Sequence, residues 1–398
     1  MRLALLLVAA TAMAQDFTQR GFLETTGFFF PQSAVNDASH AVGEWLFRYE
    51  ASYKLAPGLK LSGGIDARTD THRETEREWG LSWWDRERRR PAFAVRRLSA
   101  TYNRGKLTIE AGKQFVRWGK TDVLNPTDRF APRDFINVLD NEYLAITAGR
   151  LTYGTQANTI DLVFEPRLTP SRVPLLNQRW AVLPPDVPLA EGEPRFPGGP
   201  QFGARWNHIG KAAEYSLSFY NGYDHLPQFG AELRLPITVY RYYPQMRMYG
   251  GDAAIPFPYV TLKAEAGYFT SRTPQSDEYV LYVLQLERQS GEWSFIGGYA
   301  GQVITSHGTS LTFSPTRGST RAFVGRAGYT IDTNRSLSVE MVVRQNGQGM
   351  YWKPEYSQAF GQNWRLSVGF VLIRGENGDF LGQYRRNSHG ILTVRYSF

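Results

Sequence analysis

Apolar and polar residues take turns along much of this 398-residue chain. From 44 to 55, Trp45, Phe47, Tyr49, Ala51, Tyr53 and Leu55 share one face of an extended strand. Glu44, Arg48, Glu50, Ser52 and Lys54 share the other. Beyond the turn Ala56-Pro57-Gly58, Leu59, Leu61, Ile65 and Ala67 oppose Lys60, Ser62, Asp66 and Arg68. A period of two predicts strands with one face apolar. The pattern recurs at 159–165, 202–207, 215–220, 260–269, 293–303, 323–331, 337–344 and 364–372. It is less regular at 17–30, 93–102, 107–118, 143–153, 242–253, 279–288 and 351–360. The last residues repeat it, with Leu392, Val394, Tyr396 and Phe398 on one face and Thr393, Arg395 and Ser397 on the other. This predicts about 18 strands, or about 16 if one weak hairpin is misread.

The connections alternate in length. Short ones such as Asn103-Arg104-Gly105, Ser290-Gly291 and Gly361-Gln362-Asn363 are separated mostly by long ones, around 31–43, 70–92, 119–142, 166–200, 222–241, 306–320 and 375–389. An open amphipathic edge strand invites aggregation. In lipid such an edge is tolerated only if the last strand pairs with the first. The expected fold is therefore all-β: a closed antiparallel transmembrane barrel with short periplasmic turns and long external loops. Apolar faces are assigned outward, because a charge facing lipid costs about 2–4 kcal/mol at the bilayer midplane. Phe398 is expected to close the barrel and to present the C-terminal strand to barrel-assembly machinery. Trp45, Trp118 and Trp352 are expected at external strand ends, and Trp206, Trp293 and Trp364 at periplasmic ends, as interfacial belts.

Composition narrows the class further. Arg2, the apolar run Leu3 to Ala10 and Ala12-Met13-Ala14 predict a cleaved signal peptide over 1–14, leaving 15–398 as one barrel domain. Mean hydropathy is only −0.39, yet aromatics reach 14%. A wall wet on one side and girdled by aromatics has that balance. The absence of cysteine excludes disulfides and thiolate metal sites. A net charge of +8 would suit a nucleic-acid partner, but an exported chain does not meet one.

Alternation also names a lumen. Arg48, Lys54, Lys60, Asp66, Arg68, Arg97, Glu110, Asp161, Arg205, Arg247, Lys263, Glu265, Arg326, Glu340, Arg344, Arg365 and Arg395 are expected to face inward. With Lys353, Glu44, Glu50, Glu165, Glu287 and Glu355 added, the inward candidates are 13 cations and 10 acids, a small excess of positive charge. Rings of Arg and Lys favour anions; a mixed ladder can equally serve as wall bracing. The six histidines are scattered through loops and strand ends, and no nucleophile–base pair, His cluster or phosphate-binding glycine loop is readable. Neither an enzyme nor a bound metal or cofactor is expected.

The segment Gly112-Lys113-Gln114 to Trp118-Gly119, followed by Asn125-Pro126-Thr127-Asp128, breaks the alternation near Lys113. Asp134 to Tyr143 then reads as a short helix. These two motifs, with the terminal Phe398, resemble a poorly characterised branch of bacterial porin-like β-barrel proteins. The resemblance implies the class, an outer-membrane channel of a Gram-negative-type bacterium; the strand number makes a passive, water-filled pore the expectation, and the lumen charge points to small polar or anionic solutes. Membrane lipid and lipopolysaccharide would be its surroundings. It also implies that residues 119–142 fold inward as a constriction carrying Asp128, Arg129, Arg133 and Asp134; the alternative is an external loop packed on its neighbours. Export of an acidic polysaccharide and a non-conducting structural or adhesive barrel are the other readings. The Arg- and Glu-rich loop 70–91, with Trp79, Trp83 and Trp84, fits either an anion-binding loop or a solvated one. The Pro-rich loop 166–200 reads as a semi-rigid cover.

Overall fold

The computed structural model describes residues 16–182, 189–232 and 236–398; the expected signal segment 1–14 lies outside them. Eighteen antiparallel strands form one closed barrel. They are β1 (Phe17–Phe29), β2 (Ala41–Ala56), β3 (Leu59–Asp70), β4 (Phe93–Arg104), β5 (Leu107–Gln114), β6 (Ile146–Gly154), β7 (Asn158–Glu165), β8 (Gln201–Ile209) and β9 (Glu214–Tyr223). Then come β10 (Gln245–Pro256), β11 (Thr261–Thr270), β12 (Glu278–Ser290), β13 (Trp293–Ser306), β14 (Ala322–Thr330), β15 (Arg335–Arg344), β16 (Gly349–Phe360), β17 (Trp364–Gly375) and β18 (His389–Ser397). Each pairs with the next, and β1 pairs with β18 in a register running from Phe22 opposite Ser397 to Phe29 opposite Gly390. Phe398 completes the seam by exchanging backbone hydrogen bonds with Gly21 at 2.9 and 3.0 Å.

The wall obeys the alternation. Along β9 and β10 the outward Leu217 and Tyr249 are 61% and 49% exposed, while inward Met248 is fully buried. So much exposed apolar surface is stable only against lipid. The short turns are tight: Gly58 sits at φ 82°, where a Cβ would strike the Asn103 carbonyl, so β2–β3 can turn within two residues.

Inside the external half, loops and wall share an apolar core. Trp118 and Phe130 pack with Tyr220, Met248 and Phe269, and across the lumen Val138 and Trp180 pack with Val324, Val342, Tyr351 and Leu381. Residues 166–182 of the Pro-rich loop reach across the mouth, and Pro184-Pro185 lies outside the described residues: Arg179 donates to Asn387 Oδ1 at 3.4 Å, and the Trp180 ring lies 5.4 Å from that of Tyr384. Short strands Leu189–Glu191, Gln228–Glu232, Ile237–Tyr242 and Leu311–Thr312 form a four-stranded sheet among the loops.

Three expectations are corrected. Asp134 to Tyr143 is not a helix: Arg133–Asp134 pairs with Glu142–Tyr143. Asp134 and Asn137 accept the N–H groups of Ile136 and Leu139, which draws the backbone into turns. Trp118 joins no interfacial belt; it is buried in the lumen and donates to Asp161 Oδ2 at 2.9 Å. Arg247 faces outward with Tyr249, between the buried Met246 and Met248, and donates to Asn221 Oδ1 at 3.0 Å. It lies at the external end of β10, where a long cationic side chain reaches the headgroups and the lipid penalty falls away.

Candidate functional site: an inward loop and the space it leaves

β5 leaves the wall at Gln114, two residues after Gly112 adopts φ 121°. The chain then turns inward, and Val116, Trp118 and Phe130 are each less than 5% exposed. One wall strand holds this loop by a single carboxylate. Glu265 of β11 accepts five hydrogen bonds, from Lys120 N at 3.0 Å, Thr121 N at 3.1 Å, Thr121 Oγ1 at 2.8 Å, Thr127 N at 2.8 Å and Thr127 Oγ1 at 2.9 Å. Next to it Asp122 N donates to Gln285 Oε1 at 2.9 Å, Lys263 reaches Asp122 at 3.1 Å, and Lys120 reaches Glu214 at 2.6 Å.

The loop's far end is held on the opposite side. Glu142 accepts from Arg48 at 2.6 Å, from Arg68 at 2.5 Å and from Arg96. Burial alone would raise its pKa, but Arg68, Arg96 and Arg48 outweigh burial and hold the carboxyl well below the usual carboxylate range. Asp66 braces Arg48 at 2.7 Å. Loop 119–142 therefore bridges β9–β12 and β2–β4 through the lumen.

The other nominated loop residues have charged or aromatic partners. Asp128 takes Arg117 at 2.5 Å and the Trp118 N–H at 3.0 Å. Arg129 lies 5.1 Å over the Phe269 ring, and Arg133 4.3 Å over that of Tyr143. Asp134 pairs with Arg90 at 3.0 Å and Arg172 at 3.3 Å. Arg90 also meets Glu44 at 3.0 Å and Glu74 at 3.2 Å. One guanidinium cannot neutralise three acids. Burial, with Arg90 opposing and Glu44, Asp70 and Asp134 adding, pushes the Glu74 carboxyl up to about 8, so it keeps its proton at neutral pH.

Many of the wall charges read from the sequence are spent on neighbours. Arg97 pairs with Glu110 at 3.1 Å, Arg150 with Asp161 at 2.6 Å, Arg205 with Asp252 at 2.9 Å, Arg344 with Asp379 at 2.9 Å and Arg395 with Glu24 at 2.5 Å. Glu340 accepts from the Tyr351 hydroxyl. Lys54 and Lys60 stand directly opposite each other near the periplasmic end. Strict alternation missed Arg96. The register slips between Gly64 and Ile65, and this bulge lets Arg96 and Arg97 both find inner acids. Two adjacent arginines inside a strand were the available sign.

What the loop does not fill is a cavity of about 660 Å³ against β1–β3 and β13–β18. A second, of about 330 Å³, shares Asp140, Asn141, Arg326 and Lys353 with it. Lys353 reaches Asp140 only at 3.7 Å. Among the described residues, Arg326 and Arg365 have no ion-pair partner.

No protein-family model and no curated protein matches this sequence. Solved structures do match in shape. A BenF-like porin from Pseudomonas fluorescens Pf-5 aligns with TM-score 0.57 and 10% identity over 96% of this chain and 98% of its own. OccAB4 of Acinetobacter baumannii gives 0.56 and 11% over 96% and 98%. OccK3 of Pseudomonas aeruginosa gives 0.54 and 10% over 98% of each. The fold is that of the outer-membrane porins. At such identity the likeness extends to the 18-strand architecture and says nothing of the solute.

Proposed function

We propose that the chain is a porin of the outer membrane, a passive channel for small polar solutes with a weak preference for anions, narrowed by residues 119–142. The observation that carries this reading is that two cavities share Arg326 and Lys353 in their linings, the smaller running along Asp122 to Leu124 beside the Glu265 grip and the larger reaching toward β1–β3. Arg326 lines both cavities and Arg365 the larger one, neither with an ion-pair partner among the described residues, and unpaired cations draw anions. Lipid and lipopolysaccharide surround the apolar belt, and the C-terminal strand is the part offered to the assembly machinery.

Planar-bilayer recording tests the reading. The wild type is expected to form steps whose reversal potential in a salt gradient favours the anion, and deletion of 127–141 to raise the conductance. Silence in the bilayer would favour the structural barrel; cation preference would reject the assigned route.

A further inference from the structure

Where β5 turns inward, the wall is left with a notch. β4 continues outward to Phe93, but its last partner on β5 is Lys113, opposite Leu98. β6 reaches no further than Ile146, opposite Gln114. Loop 70–92 fills the gap from outside. Leu81 and Ser82 pair in parallel with Phe93 and Ala94 of β4, and Trp83 Nε1 donates to Thr147 Oγ1 of β6 at 3.1 Å. Trp79, 89% exposed, stacks on Phe93.

At the inner end of this patch stands Asp85. Its φ of 52° lies in the left-handed region, uncommon for a residue with a side chain. It is held there by two cations from different parts of the chain. Lys113 Nζ lies 2.5 Å from Asp85 Oδ2, and Arg172 donates to Oδ1 at 2.6 Å. Lys113, 1% exposed, also donates to the Trp83 carbonyl at 2.6 Å. It precedes by one residue the point at which the inward loop departs. Arg172 in turn meets Asp134, inside that loop.

We infer that residues 81–85 are a latch: they seal the notch and, through Asp85, fix the root of the inward loop. The external loop thereby sets how firmly residues 116–141 are seated. This rests on the proposed constriction only where conductance is read, because seating can be measured in a barrel that conducts nothing.

The test uses the folded full-length mature protein in detergent. Asp85→Asn removes the charge while keeping a residue that tolerates positive φ. Backbone hydrogen exchange over 116–141 is expected to quicken roughly tenfold, with the wall strands unchanged. The second variant adds Leu81→Cys and Phe93→Cys to Asp85→Asn. No native cysteine interferes, and the directly paired positions lie within disulfide reach. Oxidation should return exchange in 116–141 toward wild type, and reductant should undo it. Unchanged exchange in Asp85→Asn overturns the latch. So does faster exchange throughout the barrel, or a cross-link without effect. In bilayers the same variant should give noisier open levels; a silent wild type would defeat the channel reading and leave the exchange result standing.

Discussion

Thr127 of the inward loop is tied to Glu265 of the wall twice over, by its backbone N–H at 2.8 Å and its hydroxyl at 2.9 Å. Hydrogen bonds to a charged acceptor contribute about 1.5–3 kcal/mol each. Glu265→Ala removes the acceptor for five donors at once, whereas Thr127→Ala removes one bond. Glu265→Ala should therefore raise single-channel conductance and noise clearly, and Thr127→Ala only slightly. Equal effects would mean that the grip is not additive in the way the geometry implies.

Arg326 lines both cavities and has no acid partner among the described residues. Arg326→Glu should move the reversal potential toward cation preference, with Arg365→Glu acting in the same direction. The control is Arg205→Lys, which keeps the positive charge that Asp252 matches at 2.9 Å in the wild type. It should leave selectivity near wild type.

Glu142 is held ionised by Arg68, Arg96 and Arg48 against the pull of burial. A depressed carboxylate contributes stability above its unfolded pKa and loses it only as pH falls through the folded value. That value lies below the ordinary carboxylate range, so Glu142's share of loop seating should not change between neutral pH and about pH 5. Glu142→Gln should loosen residues 134–143 at every pH in that window, read by hydrogen exchange corrected for intrinsic rates.

Glu74 has the opposite sign. Its folded pKa, near 8, is raised above the unfolded value, so its contribution is intact below the ordinary carboxylate range and is lost as pH rises through about 8. Once exchange is corrected for intrinsic rates, loop 70–92 should be less protected at pH 9 than at pH 5. Glu74→Gln should slow exchange at pH 9 and leave it unaltered at pH 5. A variant that loses loop protection at both values would contradict the assignment of a proton to Glu74.

The seam between β1 and β18 is narrow around Gly21, where a Cβ would lie 2.6 Å from the Phe398 ring. Gly21→Val should reduce the yield of heat-modifiable barrel, and removal of Phe398 should reduce it further, measured by gel mobility before and after boiling.

The sequence makes the wall legible because lipid penalises every misplaced charge, residue by residue, with a period that local reading detects. Glu44 to Leu55 shows it plainly. The grip on the loop is a different matter. Glu265 and Thr127 stand 138 positions apart, and Arg48 and Glu142 stand 94 apart. No periodicity links them; only the closed cylinder brings them together. Arg247 misleads because charge alone does not distinguish a lumen from a rim. Arg96 escapes because a bulge alters parity within a strand. Asp134 to Tyr143 has a helix-like composition, but Asp134 and Asn137 capture nearby N–H groups that a helix would need.

The crossing of the mouth by Arg179 and Trp180 has a bearing on biogenesis. Arg179 meets Asn387, 208 positions later, in the connection that leads into β18. Contacts so remote in sequence form late. The cover can thus settle only after the final hairpin has been threaded and the cylinder zipped shut. A nascent barrel stalled one hairpin short would stand uncapped, with its greasy loop residues showing to chaperones and proteases.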